Sequence, residues 1–198
     1  MSISEIISAT SPAATPFRRQ ARVALPTLSQ VAPGQLWLRE LAPQGPVPEA
    51  VTHVLQDANV VIYDRALTDA VADALPLGTY AEPAVTPETA AARSVRFARD
   101  GWSVVRLLPA RLPLRERTRR VQDLVDELAA AKVLGQFPVS IVAEAPDGIE
   151  EHVIARFDDL AAIVASFPRD TPLTIVIDAF GGGAAARLHA VATNGLAG

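Results

Sequence analysis

A chain of 198 residues, 49% of them apolar and none of them cysteine, can bury a substantial core without disulfides. The missing cysteine also removes thiol nucleophiles, thiolate zinc sites and iron–sulfur clusters, and fits a reducing compartment, so the cytoplasm is the expected location. A formal net charge of −4 argues against nucleic-acid binding through overall charge, although a local arginine cluster can still take an anion.

Residues 1–33 are rich in Ser, Ala, Thr and Pro without sustained periodicity, and read as an extension that is flexible or laid over the surface. Its start lacks the basic and apolar stretches of a secretory signal. No later apolar run approaches the roughly 20 residues a bilayer span requires, so no membrane partner is expected. From Gln35 the character changes: "QLWLREL" is strand-like, and "VPEAVTHVLQDA" sets Val51, Val54, Leu55 and Ala58 at helical spacing, with Pro48 suited to a first turn. "NVVIYD" is a short apolar strand with too little polar alternation to be half exposed, which points to a sheet covered on both faces.

"TDAVADAL" predicts a short helix capped by Thr68, and "GTYAEP" a brief strand. "TPETAAARSVRFARDG" predicts a helix with Thr86 as N-cap, Pro87 at the first helical position, Glu88 near the positive end of the dipole and Gly101 as the stop. Trp102 to Leu108 reads as a buried strand that ends among Pro109, Arg111 and Pro113. "RERTRRVQDLVDELAAAKVLG" is a long amphipathic helix through Val121, Leu124, Val125, Leu128 and Ala131. "FPVSIVAEA" and "EHVIARF" are strands that the turn-forming "PDG" permits to pair as a hairpin; "DDLAAIVASF" is a helix and "PLTIVIDAF" a last buried strand. The alternation predicts an α/β fold with mainly parallel strands flanked by helices.

In order and spacing, "PGQLWL", "LQDANVVIYDRALTDAV" and "PETAAARSVRFARDGWSVVRL" resemble the N-terminal half of the tetrapyrrole methylases, above all the uroporphyrinogen-III C-methyltransferases and the methylase module of sirohaem synthase. "FPVSIVAEAPDGIEEHVIARFDDLAAIVASF" and "PLTIVIDAF" resemble the end of that family's C-terminal half. The resemblance covers residues 33–108 and roughly 137–180. It implies two α/β lobes, here 34–108 and 109–198 with a reduced middle section and a flexible tail. It also implies S-adenosylmethionine as methyl donor, a cyclic tetrapyrrole substrate and a homodimer.

Two departures bear on chemistry. Where the family carries a glycine-rich GxGPGDxxLLT loop after the first strand, this chain reads "LRELAPQGPVPEAV", with Arg39 and Glu40 near the expected glycines. Where the family continues its "RVVRL" strand into a GGDP segment, this chain reads "LPARLPLRER". Close approach of backbone to a ligand needs residues with little side chain, and proline deletes a donor. Weak or absent binding of S-adenosylmethionine in the family's manner is therefore expected, with no cofactor-binding or catalytic residue assignable. Two readings stand: a remodelled cleft with residual methyl transfer, or a noncatalytic module that binds a tetrapyrrole or assembles with a protein.

Candidate substrate contacts are Tyr63, Asp64 and Arg65 at the end of the second strand, together with Arg106 and Arg111. By the resemblance, Arg65 pairs a substrate carboxylate; the competing reading makes Asp64 a cap and Arg65 a local ion pair. Arg106, Arg111, Arg115, Arg117, Arg119 and Arg120 form a cluster suited to a polycarboxylate. Yet Glu116 with Arg120 and Arg119 with Asp123 fall at i,i+4 spacing, as on an ordinary solvated helix face. "AFGGGAAARLHA" lacks a complete phosphate-loop pattern and reads as a tail. His53, His152 and His189 have no metal-ligand spacing, so no metal is expected.

Overall fold

The computed structural model describes residues 30–131, 138–144, 150–178 and 180. The extension before residue 30, the expected "PDG" turn, the expected continuation of the long helix over 132–135 and the glycine-rich tail fall outside these residues.

The fold is α/β. Among the described residues, seven strands form one sheet in the order β3-β2-β4-β1-β7-β5-β6. They are β1 (Leu36–Leu41), β2 (Val60–Tyr63), β3 (Tyr80–Pro83), β4 (Val104–Pro109), β5 (Pro138–Glu144), β6 (Glu150–Arg156) and β7 (Leu173–Ile177). The first four are mutually parallel: β1 and β2 flank β4, and β3 lies outside β2. The rest are antiparallel, β7 against β1, β5 against β7, and β6 against β5 as the expected hairpin. Because β1 pairs with β4 on one side and β7 on the other, the segments before and after residue 108 share a single hydrogen-bonded sheet.

The helices among the described residues are α1 (Glu49–Asp57), α2 (Thr68–Ala72), α3 (Pro87–Arg99), α4 (Leu114–Ala130) and α5 (Leu160–Ser166). Strand alternation divides the core in two. Trp37, Val61, Val105 and Leu107 pack under α1 and α2 through Val51, Val54, Leu55 and Val71. Leu36, Leu38, Ile62, Val104 and Leu108 pack with Val95 of α3, Leu124 of α4 and Val164 of α5. Central strands therefore bury both faces, which is why "LWLREL" and "VVRLLP" are buried from end to end.

Local signals explain most boundaries. Thr86 accepts the Thr89 N–H as N-cap of α3, Pro87 opens the helix, and Gly101 follows it at φ +90°, a conformation glycine adopts without a Cβ clash. At α2 the expected cap is displaced. Asp64, not Thr68, caps the segment: its Oδ1 accepts the Ala66 N–H at 3.1 Å and opens a 3-10 turn over Arg65–Leu67, while Thr68 is already helical and donates its hydroxyl to the Arg65 carbonyl. Asp outcompetes Thr because its acceptor lies one short turn earlier in the chain. No helix among the described residues is long and apolar enough to cross a membrane.

Candidate functional site

In open parallel sheets ligands lie beyond the carboxyl ends of the strands. Here that edge is formed by Leu41, Tyr63, Pro83 and Pro109.

At β1, Arg39 and Glu40 are not loop residues. Both are buried inside the strand and project to opposite faces. Arg39 donates to the Thr174 hydroxyl at 2.8 Å and ion-pairs Glu144, linking β1 to β7 and β5. Glu40 receives two bonds from the Arg117 guanidinium of α4, at 2.7 and 2.6 Å, and a third from the Leu173 N–H. Arg117 also donates to the carbonyls of Pro168 and Thr171, at 3.1 and 2.6 Å. Burial pushes the Glu40 carboxyl up, against the opposing pull of Arg117 and the Leu173 N–H. The end of β1 is thus tied into α4 and the α5–β7 connection by a fully partnered ion pair.

At β2, Tyr63 is half-buried, and Asp64 accepts from Arg120 at 3.1 Å while it caps the following turn. Arg65 is exposed and has no ion-pair partner among the described residues. At β4, Pro109 is buried and the Ala110 N–H donates to the Leu41 carbonyl at 2.7 Å, so the strand end is held to its neighbour. Arg111 follows at φ +63°, the one left-handed non-glycine residue among those described, and its carbonyl accepts two bonds from Arg169, at 3.1 and 2.9 Å.

Arg106 does not reach this edge. It is 1% exposed, points from β4 toward α3 and α4, and donates Nη2 to the Pro87 carbonyl at 3.0 Å. Its Nη1 and the Oδ2 of Asp123 are both buried without a hydrogen-bond partner. Burial, and secondarily the nearby Arg120, lowers Arg106 to about 10, against the support of Asp123, Asp64 and Glu88. Burial likewise raises the Asp123 carboxyl, with Glu88 adding to the effect.

The five candidate residues are therefore not gathered into one pocket. Asp64 and Arg106 belong to one charged cluster through Arg120; Arg65 and Arg111 stand separately at the strand exits. Of the two expected i,i+4 pairs, Glu116–Arg120 forms at 2.7 Å, while Arg119 turns instead to Glu88 of α3. Sequence reasoning did not find the Arg39 and Glu40 pairings. The signal was present, because two adjacent charges inside an otherwise apolar strand must each find a buried partner.

The described residues also line two open surface depressions. One, of about 540 Å³, runs over α4 beside Leu114, Arg115, Thr118 and Gln122. The other, of about 420 Å³, lies between β3 and α3 beside Tyr80, Glu82, Val85 and Arg93. Neither is lined by the ends of β1 or β4. Among the described residues no group of His, Asp and Glu is arranged to hold a metal ion.

No family model and no curated protein matches the sequence. Among solved structures, a cobalt precorrin-4 methyltransferase of cobalamin biosynthesis is 14% identical, with 72% of this chain and 93% of that one covered and a TM-score of 0.31. A uroporphyrin-III C-methyltransferase from Thermus thermophilus, complexed with S-adenosyl homocysteine, is 18% identical, with 77% and 99% covered and a TM-score of 0.33. At this level the likeness to tetrapyrrole methyltransferases is coarse and says nothing of activity.

Proposed function

We propose that this chain is a noncatalytic module on a tetrapyrrole-methylase-like scaffold, in which S-adenosylmethionine-dependent methylation of a uroporphyrinogen-like tetrapyrrole is lost and binding of the polycarboxylate is kept. One observation carries the reading: the buried Glu40–Arg117 pair, with the Leu173 N–H, fills the end of β1, where a nucleoside donor needs bare main chain and free N–H groups. Methyl transfer to a pyrrole carbon depends chiefly on holding donor and acceptor in line, so losing the donor's cradle removes the main catalytic contribution.

The binding half is supported by the cations left over. Arg65, Arg111 and Arg115 are exposed and lack ion-pair partners among the described residues, whereas Arg117, Arg119 and Arg120 are neutralised within the fold. Guanidinium groups at strand exits suit the carboxylates of a tetrapyrrole.

Differential scanning fluorimetry and calorimetry with S-adenosylmethionine, S-adenosylhomocysteine and uroporphyrin III test both halves. A ligand at 100 times its dissociation constant adds about 2.7 kcal/mol to native stability, so even weak specific binding registers. The expected result is no shift with millimolar S-adenosylmethionine and a saturable shift with uroporphyrin. Methylated product from uroporphyrinogen III would overturn the reading in favour of residual methyl transfer.

A further inference from the structure

We infer that Arg169, on the α5–β7 connection, is a positioning residue for the strand-exit cations: its guanidinium grips the Arg111 carbonyl and so fixes the direction in which the Arg111 side chain leaves the β4 exit. The inference rests on the polycarboxylate-binding reading above.

Arg169 is exposed, yet the turn that carries it is anchored at both ends. The Thr171 N–H donates to the Pro168 carbonyl at 3.2 Å, and the buried Arg117 guanidinium donates to the carbonyls of Pro168 and Thr171, at 3.1 and 2.6 Å. Arg117 is itself held by two bonds to Glu40 of β1. From this fixed turn, Nε and Nη2 of Arg169 both reach the Arg111 carbonyl, at 3.1 and 2.9 Å. Two donors on one planar group define an orientation, where a single hydrogen bond would leave a swivel.

Arg111 is constrained from its own side as well. Ala110 before it is held to the Leu41 carbonyl at 2.7 Å, and Pro113 two residues on opens α4. Between them Arg111 stands at φ +63°, where a Cβ is disfavoured and glycine would be the ordinary choice. Backbone conformation decides where Cβ points, so a clamp on the carbonyl also aims the side chain. Both guanidinium groups are exposed and make no ion pair among the described residues. Arg169 spends its bonds on a neutral carbonyl, which leaves two like charges at one strand exit with no carboxylate between them. Such charges repel each other, and an anion relieves the repulsion. The arrangement suits one carboxylate of a ligand, taken by Arg111 while Arg169 keeps Arg111 in place.

Urea unfolding tests the clamp without any ligand. Arg111→Gly should raise the midpoint in the wild-type background by relieving the left-handed conformation. In an Arg169→Met background it should lower the midpoint, because the released connector relaxes and glycine then only adds unfolded-state freedom. Calorimetry with uroporphyrin III tests the positioning. Arg169→Met and Arg111→Met should each weaken binding by roughly fivefold, and the double variant by no more than Arg111→Met alone, since the same contact is lost in each. Arg169→Lys, which keeps the charge and loses the fork, should bind as weakly as Arg169→Met. Circular dichroism of each variant reports folding separately. An Arg111→Gly gain that persists without Arg169, losses that multiply in the double variant, or wild-type affinity in Arg169→Lys would each overturn the role of Arg169 alone. A wild-type chain that binds no uroporphyrin would overturn the proposed function and this role with it.

Discussion

Glu40 of β1 and Arg117 of α4, 77 residues apart in sequence, form a two-bond ion pair in the interior, with the guanidinium 1% exposed. Removing one partner of such a pair leaves an uncompensated buried charge, which costs about 3–5 kcal/mol. Arg117→Leu should therefore lower the urea midpoint sharply and the melting temperature by roughly 10 °C. Glu40→Leu combined with Arg117→Leu should recover most of the loss, since apolar replacements of a whole buried pair are often neutral or stabilising. Equal damage by the single and double variants would contradict this account.

The charged cluster between α3, α4 and β4 makes a prediction about pH. Burial raises the Asp123 carboxyl in the folded chain. In the window just above its ordinary value the native state then binds more protons than the unfolded state, so this group's contribution makes stability rise as pH falls through that window. Glu88 acts oppositely: it is lowered by hydrogen bonds from backbone, Thr86 and Arg119, and its contribution is lost on acidification. A difference measurement isolates Asp123. Asp123→Asn should be more stable than wild type at pH 7, with the gap narrowing toward pH 4. Parallel stability curves would show that the carboxyl titrates normally.

At the first turn of α3, Thr86→Ala removes the acceptor for the Thr89 N–H. The cost should be about 1 kcal/mol, read from the urea midpoint at unchanged slope. A loss below about 0.3 kcal/mol would mean that Pro87 alone fixes the helix start.

That helix shows what was legible in the sequence. Cap, proline and terminal glycine act over a few residues, so α3 and its limits follow from local chemistry alone. The apolar run of β2 likewise announced a strand covered on both faces, and those of β4 and β7 announced buried strands. Partner choice was not legible. Glu40 finds Arg117 and Arg39 finds Glu144 only after seven strands join one sheet, and nothing in "LWLREL" says which distant charge will answer. The same holds for the candidate site: Arg106 sits within a motif that resembles a cofactor-bearing strand, yet strand alternation turns it inward, away from the exits where Arg65 and Arg111 lie.

Arg111 carries the last prediction, because its backbone and side chain pull in different directions. Its φ of +63° is a conformation that costs a residue with a Cβ roughly 1–2 kcal/mol. Arg169 bonds its carbonyl, not its guanidinium, so a change of side chain leaves that contact in place. Arg111→Gly relieves the strain but adds unfolded-state freedom of roughly 0.5–1 kcal/mol, for a net gain of up to about 1 kcal/mol. If the leftover guanidinium groups at the strand exits hold tetrapyrrole carboxylates, the same variant should bind uroporphyrin less tightly while it unfolds at higher urea. Strain retained against stability is what a residue kept for binding shows. Higher stability with unchanged affinity would take Arg111 out of the binding edge and leave Arg65 and Arg115 to carry it.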